Sequence, residues 1–132
     1  MTTGNGFLLD THALIWWWLA DRNLSAPARG VLESRGGTIF VSAVSGIEIA
    51  IKVRLGKLPT MAESLTRFDE LVGGDSFVHL PVAHQHAIRA GLLEGTHRDP
   101  FDRLLAAQAL IEDLTVITRD RAFAELGCKV VW

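Results

Sequence analysis

A chain of 132 residues with 48% hydrophobic and 21% charged residues has the size and balance of one globular domain. Its formal net charge of −2 argues against a protein that holds nucleic acid through a basic surface alone, although divalent cations would reverse the sign of an acidic site. The single cysteine excludes an internal disulfide, and the longest apolar run, Ala13 to Ala20, is far shorter than the ~20 residues that cross a bilayer.

Apolar runs and helix-capping residues alternate along the first half of the chain. The run from Phe7 to Leu9 predicts a buried strand that ends at Asp10. The segments after it predict a helix over 11–19, a helix over 25–34 begun by Ser25, a strand over 38–41 and a helix begun by Ser42. In this last helix the apolar residues that share one face at helical spacing are Val44, Ile47, Ile51 and Leu55.

The second half continues the alternation. The predicted elements are an amphipathic helix over 62–72 stopped by two glycines, a strand over 77–80, helices over 82–93 and 99–113, a strand over 115–118, a short helix over 121–126 and a strand over 129–132. This order predicts one domain over residues 1–132, an α/β fold with three α/β/α layers and a mainly parallel central sheet. Ligands of such sheets bind beyond the carboxyl ends of the strands.

Several acidic residues fall where this fold would place a site. Asp10 ends the first strand and Asp120 follows a later one, Glu48 lies in the helix after the second strand, and Asp99 and Asp102 open another helix. Each has a simpler interpretation, because Asp10, Asp99 and Asp120 can cap helices and Asp102 suits a third helical position. Glu48 could be a solvated helix residue, although its sequence neighbours are apolar.

Carboxylates gathered at one edge of a sheet repel each other, and a bound cation relieves that repulsion. Mg²⁺ and Mn²⁺ prefer oxygen ligands, and Mg²⁺ is typically held by one or two carboxylates together with water and substrate phosphate. The five histidines show no zinc-binding spacing. The acids therefore predict a site for a hard divalent cation.

Four segments together are more specific than any single acid. They are FLLDTHALIWW, SAVSGIEIA, HRDPFDRLLAAQAL and VITRD. In this order the segments resemble the PIN-domain nucleases, specifically the VapC-type toxins of bacterial toxin–antitoxin pairs. The resemblance extends from Phe7 to Trp132, and its most specific part is DPFDRLLAAQA followed by VITRD.

The resemblance implies a metal-dependent endoribonuclease that hydrolyses RNA phosphodiester bonds with Mg²⁺ or Mn²⁺, the number of ions being left open. Asp10, Glu48, Asp102 and Asp120 match the family's acids. Asp10 and Asp102 are assigned to direct coordination, and Glu48 and Asp120 to coordination directly or through water. The metal would activate water and neutralise charge on the phosphate.

The resemblance also implies auxiliary residues and partners. Asp99 is expected to cap its helix or to support the acids, and Thr118 matches a small hydroxyl residue beside the fourth acid. The expected partners are an RNA substrate, a cognate antitoxin and a second copy in a homodimer. Because the N-terminal residues carry no positive charge before the first apolar run, a secretory signal is not expected, and a cytoplasmic location is.

Basic and aromatic residues supply further candidates for binding. Arg98, Arg103, Arg119 and Arg121 flank the acids and could contact RNA phosphates, solvated surface charge being the alternative. The rings of Trp16–Trp18 cannot all face one core, because consecutive helical positions lie ~100° apart. At least one of them is therefore expected at the surface, which favours a partner interface over a platform for RNA bases.

Other functions on the same fold are separable from this one. A receiver domain needs two acids at the end of the first strand, and a haloacid-type phosphatase needs Asp-x-Asp, whereas His12 stands at the third position here. A non-catalytic interaction domain and a DNA-directed nuclease remain as alternatives. Metal binding, RNA cleavage and a comparison of single-stranded RNA with DNA would distinguish them.

Overall fold

A computed structural model describes residues 6–34 and 36–132, and a parallel β-sheet forms its centre. In the described part of the chain the sheet has five strands in the order β3-β2-β1-β4-β5, and each neighbouring pair is parallel. The strands are β1 Phe7–Leu9, β2 Ile39–Ser42, β3 Val78–Leu80, β4 Thr115–Ile117 and β5 Val130–Val131. The predicted α/β fold with a parallel sheet is confirmed, and β1 is its central strand.

Helices connect the strands. They are α1 Thr11–Trp18, α2 Ala26–Ser34, α3 Ala43–Arg54, α4 Ala62–Thr66, α5 Phe68–Gly74, α6 His84–Leu92, α7 Pro100–Glu112 and α8 Ala122–Glu125, with a short 3-10 helix at Pro59–Met61. Among the described residues, no helix combines the length and apolar character needed to cross a membrane.

Two hydrophobic clusters cover the two faces of the sheet, because successive residues of a strand point to opposite sides. Leu9 and Ile117 belong to a cluster with residues of α1, α2 and α5, called here the α1 cluster. Leu8 and Val116 belong to a cluster with residues of α7 and α8, called here the α7 cluster. Both faces are therefore buried, as the alternation of strands and helices predicts.

Polar side chains cap the helices at the predicted positions. Asp10 caps α1, and the hydroxyl of Ser42 accepts a hydrogen bond from Val44 N at 3.0 Å at the start of α3. The Ser25 hydroxyl accepts from Ala28 N at 3.1 Å. These bonds satisfy backbone N–H groups that have no partner within the helix. Helices α1 and α3 consequently begin at the carboxyl ends of β1 and β2.

The prediction of one helix over 62–72 that ends at two glycines was wrong. The chain is divided at Arg67, whose backbone lies at φ −115° and ψ 21°, and α5 continues through both glycines to Gly74. On either side of this break, Leu65 and Phe68 both pack against the α1 cluster. Tertiary packing has thus overridden the local pattern.

The face predicted to be apolar on α3 is fully buried only at Val44, and Ile51 is half-buried. Ile47 and Leu55 are each 51% exposed, whereas Ser45 and Glu48 are buried. Helix α3 packs against both α1 and α7, and its Ser45 and Glu48 side chains contact Thr11 of α1. Glu48 therefore lies at the edge of the sheet where the other acids are expected.

Candidate active site

Asp10 is the most enclosed acid at this edge. It follows the central strand β1, is 7% exposed, and its Oδ1 accepts a hydrogen bond from Ala13 N at 2.8 Å. Its Oδ2 accepts from the hydroxyl of Thr118, the residue that follows β4. The helix cap proposed for Asp10 is confirmed. It uses one carboxylate oxygen, and the other oxygen faces Thr118.

Thr118 connects two of the predicted acids. Its hydroxyl donates to Asp10 and accepts a hydrogen bond from Asp120 N at 2.9 Å. Asp120 Oδ1 in turn accepts from Ala122 N at 2.9 Å at the start of α8. Thr118 therefore holds the loop that carries Asp120 against the Asp10 carboxylate.

Glu48 enters the cluster from α3. It is 9% exposed, and its Oε1 accepts a hydrogen bond of 2.6 Å from the Thr11 hydroxyl. The Thr11 hydroxyl also lies 3.0 Å from the Ser45 hydroxyl. The alternative that Glu48 is a solvated helix residue is wrong.

Asp99 and Asp102 come from the start of α7. Asp99 caps the helix by accepting from Phe101 N at 2.9 Å and from Asp102 N at 3.3 Å. Asp102 occupies the third helical position, as predicted, and its Oδ2 lies 2.9 Å from His97 Nε2. The capping role of Asp99 is thus confirmed.

A cavity of about 260 Å³ joins these groups. The residues that line this acid cavity are His12, Glu48, Ile51, Lys52, Asp99, Phe101, Asp102 and Asp120. Four carboxylates from three separate segments of the chain therefore share one space. Asp10 is not among the lining residues, but the charge of Asp102 acts on it.

Burial and mutual repulsion change the acidity of three acids. Burial raises the pKa of Asp10, and Asp102 adds to the rise, while hydrogen bonds from Thr118 and Ala13 oppose it. Burial also raises the pKa values of Glu48 and Asp102. The nearby charge of Asp99 raises the pKa values of Glu48 and Asp102 further. Ionising all of these groups together is unfavourable without a compensating positive charge.

This donor set fits a hard divalent cation. Its groups are carboxylate oxygens, the ligands that Mg²⁺ and Mn²⁺ prefer, and a bound cation would offset their repulsion. In residues 6–34 and 36–132, no three Asp, Glu, His or Cys side chains are grouped as a ready-made metal cage. Mg²⁺ does not require one, because it keeps several water ligands and takes one or two carboxylates.

Three residues of the site were not assigned to it from the sequence. His12 and Lys52 line the acid cavity, with His12 Nε2 and Lys52 Nζ 3.4 Å apart, and His97 contacts Asp102. Lys52 acts on Glu48 by lowering its pKa, in opposition to the larger effect of burial. Its position four residues after Glu48, on the same helical face, is a signal that the sequence contained.

The four arginines proposed to contact RNA have different environments. Arg98 and Arg121 are exposed, and the guanidinium of Arg119 lies over the Trp16 ring, 4.5 Å from its centroid.

Arg103 has a role in the fold instead. Its Nε and Nη1 donate to Ala90 O and His97 O, each at 2.9 Å, and its Nη2 donates to Leu93 O. This side chain therefore fastens the α6–α7 connection, and each of its three nitrogens already donates to a backbone carbonyl.

Arg103→Gln is expected to lower the free energy of unfolding by about 2 kcal/mol, because hydrogen bonds from a charged group are lost and backbone acceptors are left unpaired. Urea unfolding measures this loss. The salt dependence of RNA binding should stay that of the wild type. Arg98→Gln, at an exposed position, serves as the matched control and should leave stability unchanged. A stable Arg103→Gln protein that binds RNA with a reduced salt dependence would contradict this assignment.

Each ring of the tryptophan run packs partly against the core. Trp16, Trp17 and Trp18 are half-buried, and all three contact the α1 cluster. Trp17 Nε1 and Trp18 Nε1 both donate to Asp75 Oδ2, at 3.2 and 2.9 Å. Asp75 satisfies the indoles of Trp17 and Trp18 and lets both rings lie against the core, whereas Trp16 lines a pocket at the surface, as predicted for at least one ring.

Comparisons with known proteins agree with the fold. A family model described as PIN domain matches residues 7–128. No curated protein sequence matches the chain.

Solved structures give the same result in three dimensions. VapBC2 from Rickettsia felis bound to a DNA fragment from their promoter has a TM-score of 0.72 at 16% identity, covering 96% of this chain and 97% of that chain. A toxin-antitoxin complex from Klebsiella pneumoniae has 0.67 at 20% identity, covering 95% of each chain. FitAcB from Neisseria gonorrhoeae has 0.61 at 22% identity, covering 96% of each chain. At these identities the likeness concerns the fold.

Proposed function

The chain belongs to the PIN-domain family, and from that membership we propose that it is a metal-dependent endoribonuclease and the toxin of a toxin–antitoxin pair. The observation that carries the proposal is the acid cavity, where carboxylates of α3, α7 and the loop after β4 meet. The proposal includes a cognate antitoxin, a homodimeric form and a cytoplasmic location. Toxin–antitoxin complexes among the structural relatives support the antitoxin.

Asp10 and Asp102 would hold Mg²⁺ or Mn²⁺, with Glu48 and Asp120 coordinating directly or through water. The bound cation would supply a Lewis acid that neutralises charge on the phosphate and lowers the pKa of a coordinated water. Thr118 fixes the Asp10 carboxylate through its hydroxyl, and Thr11 fixes Glu48 in the same way. These hydrogen bonds hold the acids in place before a ligand arrives, which reduces the reorganisation needed during the reaction.

Basic groups at the rim fit an anionic substrate. Lys52 lines the acid cavity beside His12, and Arg119 lies close to Asp120 in an adjoining pocket. Their positive charges would meet RNA phosphates on either side of the acids. His97, in contact with Asp102, would orient that carboxylate.

The purified protein is expected to cleave single-stranded RNA with Mg²⁺ or Mn²⁺ and to stop when a chelator is added, since its proposed ligands are hard oxygens. Gel analysis of labelled RNA, with and without EDTA, measures this. Asp102→Asn is the control for a contaminating nuclease and should be inactive. Full activity in excess EDTA would overturn the metal dependence. Equal cleavage of single-stranded DNA would favour the DNA-directed alternative.

A further inference from the structure

A second pocket adjoins the acid cavity. It has a volume of about 350 Å³ and is lined by His12, Trp16, Arg119 and Asp120; we call it the Trp16 pocket. His12 and Asp120 line both spaces, so the two share a wall. A ligand in the Trp16 pocket would therefore lie directly beside the acids.

The guanidinium of Arg119 forms one surface of this pocket. It lies over the Trp16 ring at 4.5 Å from the centroid. Among the described residues Arg119 takes part in no ion pair with a carboxylate. Its N–H donors are consequently available to an anion, and the face of its plane that is turned away from Trp16 is available for stacking.

Neighbouring rings hold Trp16 in position. Trp132 packs against it with ring centroids 5.8 Å apart, and so does His12, also at 5.8 Å. His12 and Trp16 lie four residues apart on α1, hence on the same helical face. The helix that Asp10 caps thus also carries an aromatic platform at a fixed distance from the acids.

We propose that the Trp16 pocket binds one unpaired nucleotide of the RNA next to the scissile phosphate, with the base stacked on the Arg119–Trp16 pair and a phosphate at Arg119. The proposal rests on the proposed function for the identity of the ligand. Aromatic rings and guanidinium planes are the surfaces on which proteins stack the splayed bases of single strands. A base within a duplex is already stacked and cannot enter, so the pocket selects unpaired RNA.

The test measures binding separately from cleavage. A fluorescein-labelled oligoadenylate of roughly ten nucleotides, a length in the range of single-strand sites, is titrated in EDTA at low salt and followed by anisotropy. Trp16→Leu is expected to raise the Kd about tenfold, the loss typical of one stacking ring, while Trp16→Phe stays near the wild type. An oligomer of the same length with abasic sites should bind both variants equally.

Arg119→Gln gives an independent measurement at an exposed position, should Trp16→Leu fail to fold. It is expected to reduce the slope of log K against log salt by about 0.7, the value for one phosphate contact on a single strand. A loss of packing alone would not change this slope.

Three results would overturn the proposal: an unchanged Kd for folded Trp16→Leu, an equal loss with the abasic oligomer, or no binding by the wild type. Unchanged RNA binding with weakened binding of the antitoxin would assign the pocket to a protein segment instead. Trp16-dependent binding by a protein that never cleaves RNA with Mg²⁺ would refute the proposed function and keep the nucleotide pocket. RNA cleavage that does not depend on Trp16 would support the proposed function and refute the nucleotide pocket.

Discussion

Glu48→Gln is expected to abolish RNA cleavage and, at neutral pH, to raise the melting temperature of the metal-free protein. Glutamine matches glutamate in size and helix propensity, and its side-chain oxygen can still accept the hydrogen bond from Thr11. The substitution therefore mainly removes a buried charge. We expect a gain of about 0.5–2 kcal/mol, typical when a site shaped for function is relaxed. Mg²⁺ should stabilise the wild type more than the mutant, because it binds the wild type more tightly.

The direction of the pKa shift makes this prediction dependent on pH. Burial, with Asp102 and Asp99 adding to it, raises the pKa of Glu48 in the folded protein above its ordinary value. Stability from such a group is fully present below the unfolded pKa and is lost as pH rises through the folded pKa. The advantage of Glu48→Gln should thus be largest at neutral pH, decline as pH falls below the raised pKa, and disappear below the ordinary pKa of a glutamate.

Thermal melts over pH 4–8, with and without Mg²⁺, measure both effects. Glu33→Gln makes the same chemical change on an exposed face of α2 and should alter neither the melting temperature nor the activity. A Glu48→Gln protein that cleaves RNA, or that gains as much from Mg²⁺ as the wild type does, would remove Glu48 from the metal site.

Under the proposed function, expression of the wild type is expected to arrest growth, and Asp10→Asn is expected to be harmless while still binding the antitoxin. Asparagine can keep the bond from Ala13 N through its oxygen, so the start of α1 is preserved. The negative charge opposite Thr118 is lost, and with it a proposed direct ligand of the metal. Cleavage should fall ~100-fold or more, since the metal is worth several kcal/mol of transition-state stabilisation.

Growth after induction, cleavage of labelled RNA and the melting temperature of each purified protein check this prediction. Asp69→Asn, on the exposed surface of α5, is the matched control and should remain toxic. Co-expression of the antitoxin should relieve the arrest caused by the wild type. Arrest by Asp10→Asn equal to that of the wild type would separate toxicity from the acid site.

The fold and the strand-end acids were predictable because their signals are local. Asp10 directly follows an apolar run and also suits a helix cap. Asp120 comes shortly after β4 and also accepts a hydrogen bond at the start of a helix. Strict alternation of strands and helices leaves few topologies, so the parallel sheet followed from the order of elements. The same local rules predicted the caps at Ser25, Ser42 and Asp99.

The surroundings of the acids were less predictable, because they depend on which helical face meets its neighbours. Ile47 looks like a core residue, yet it is half exposed while Glu48 is buried beside it. Arg103 looks like a phosphate ligand because it follows Asp102, but it donates to one backbone carbonyl in α6 and to two in the connection that follows. The exposure of Ile47, the burial of Glu48 and the hydrogen bonds of Arg103 all depend on contacts between distant segments. Spacing along the chain does not encode those contacts.

The hydrogen bond from Thr118 to Asp10 joins residues 108 positions apart in sequence. Ribosomes add about 5–20 residues per second, so the segment that carries Asp10 emerges seconds before the segment that completes its surroundings. Parallel strands with such distant partners also pair slowly, because a long loop must close first. The acid cluster therefore cannot be complete until the segment that carries Thr118 and Asp120 has left the ribosome. A nascent chain that exposes only Asp10 and Glu48 has no assembled site, so the proposed activity requires synthesis of nearly the whole chain.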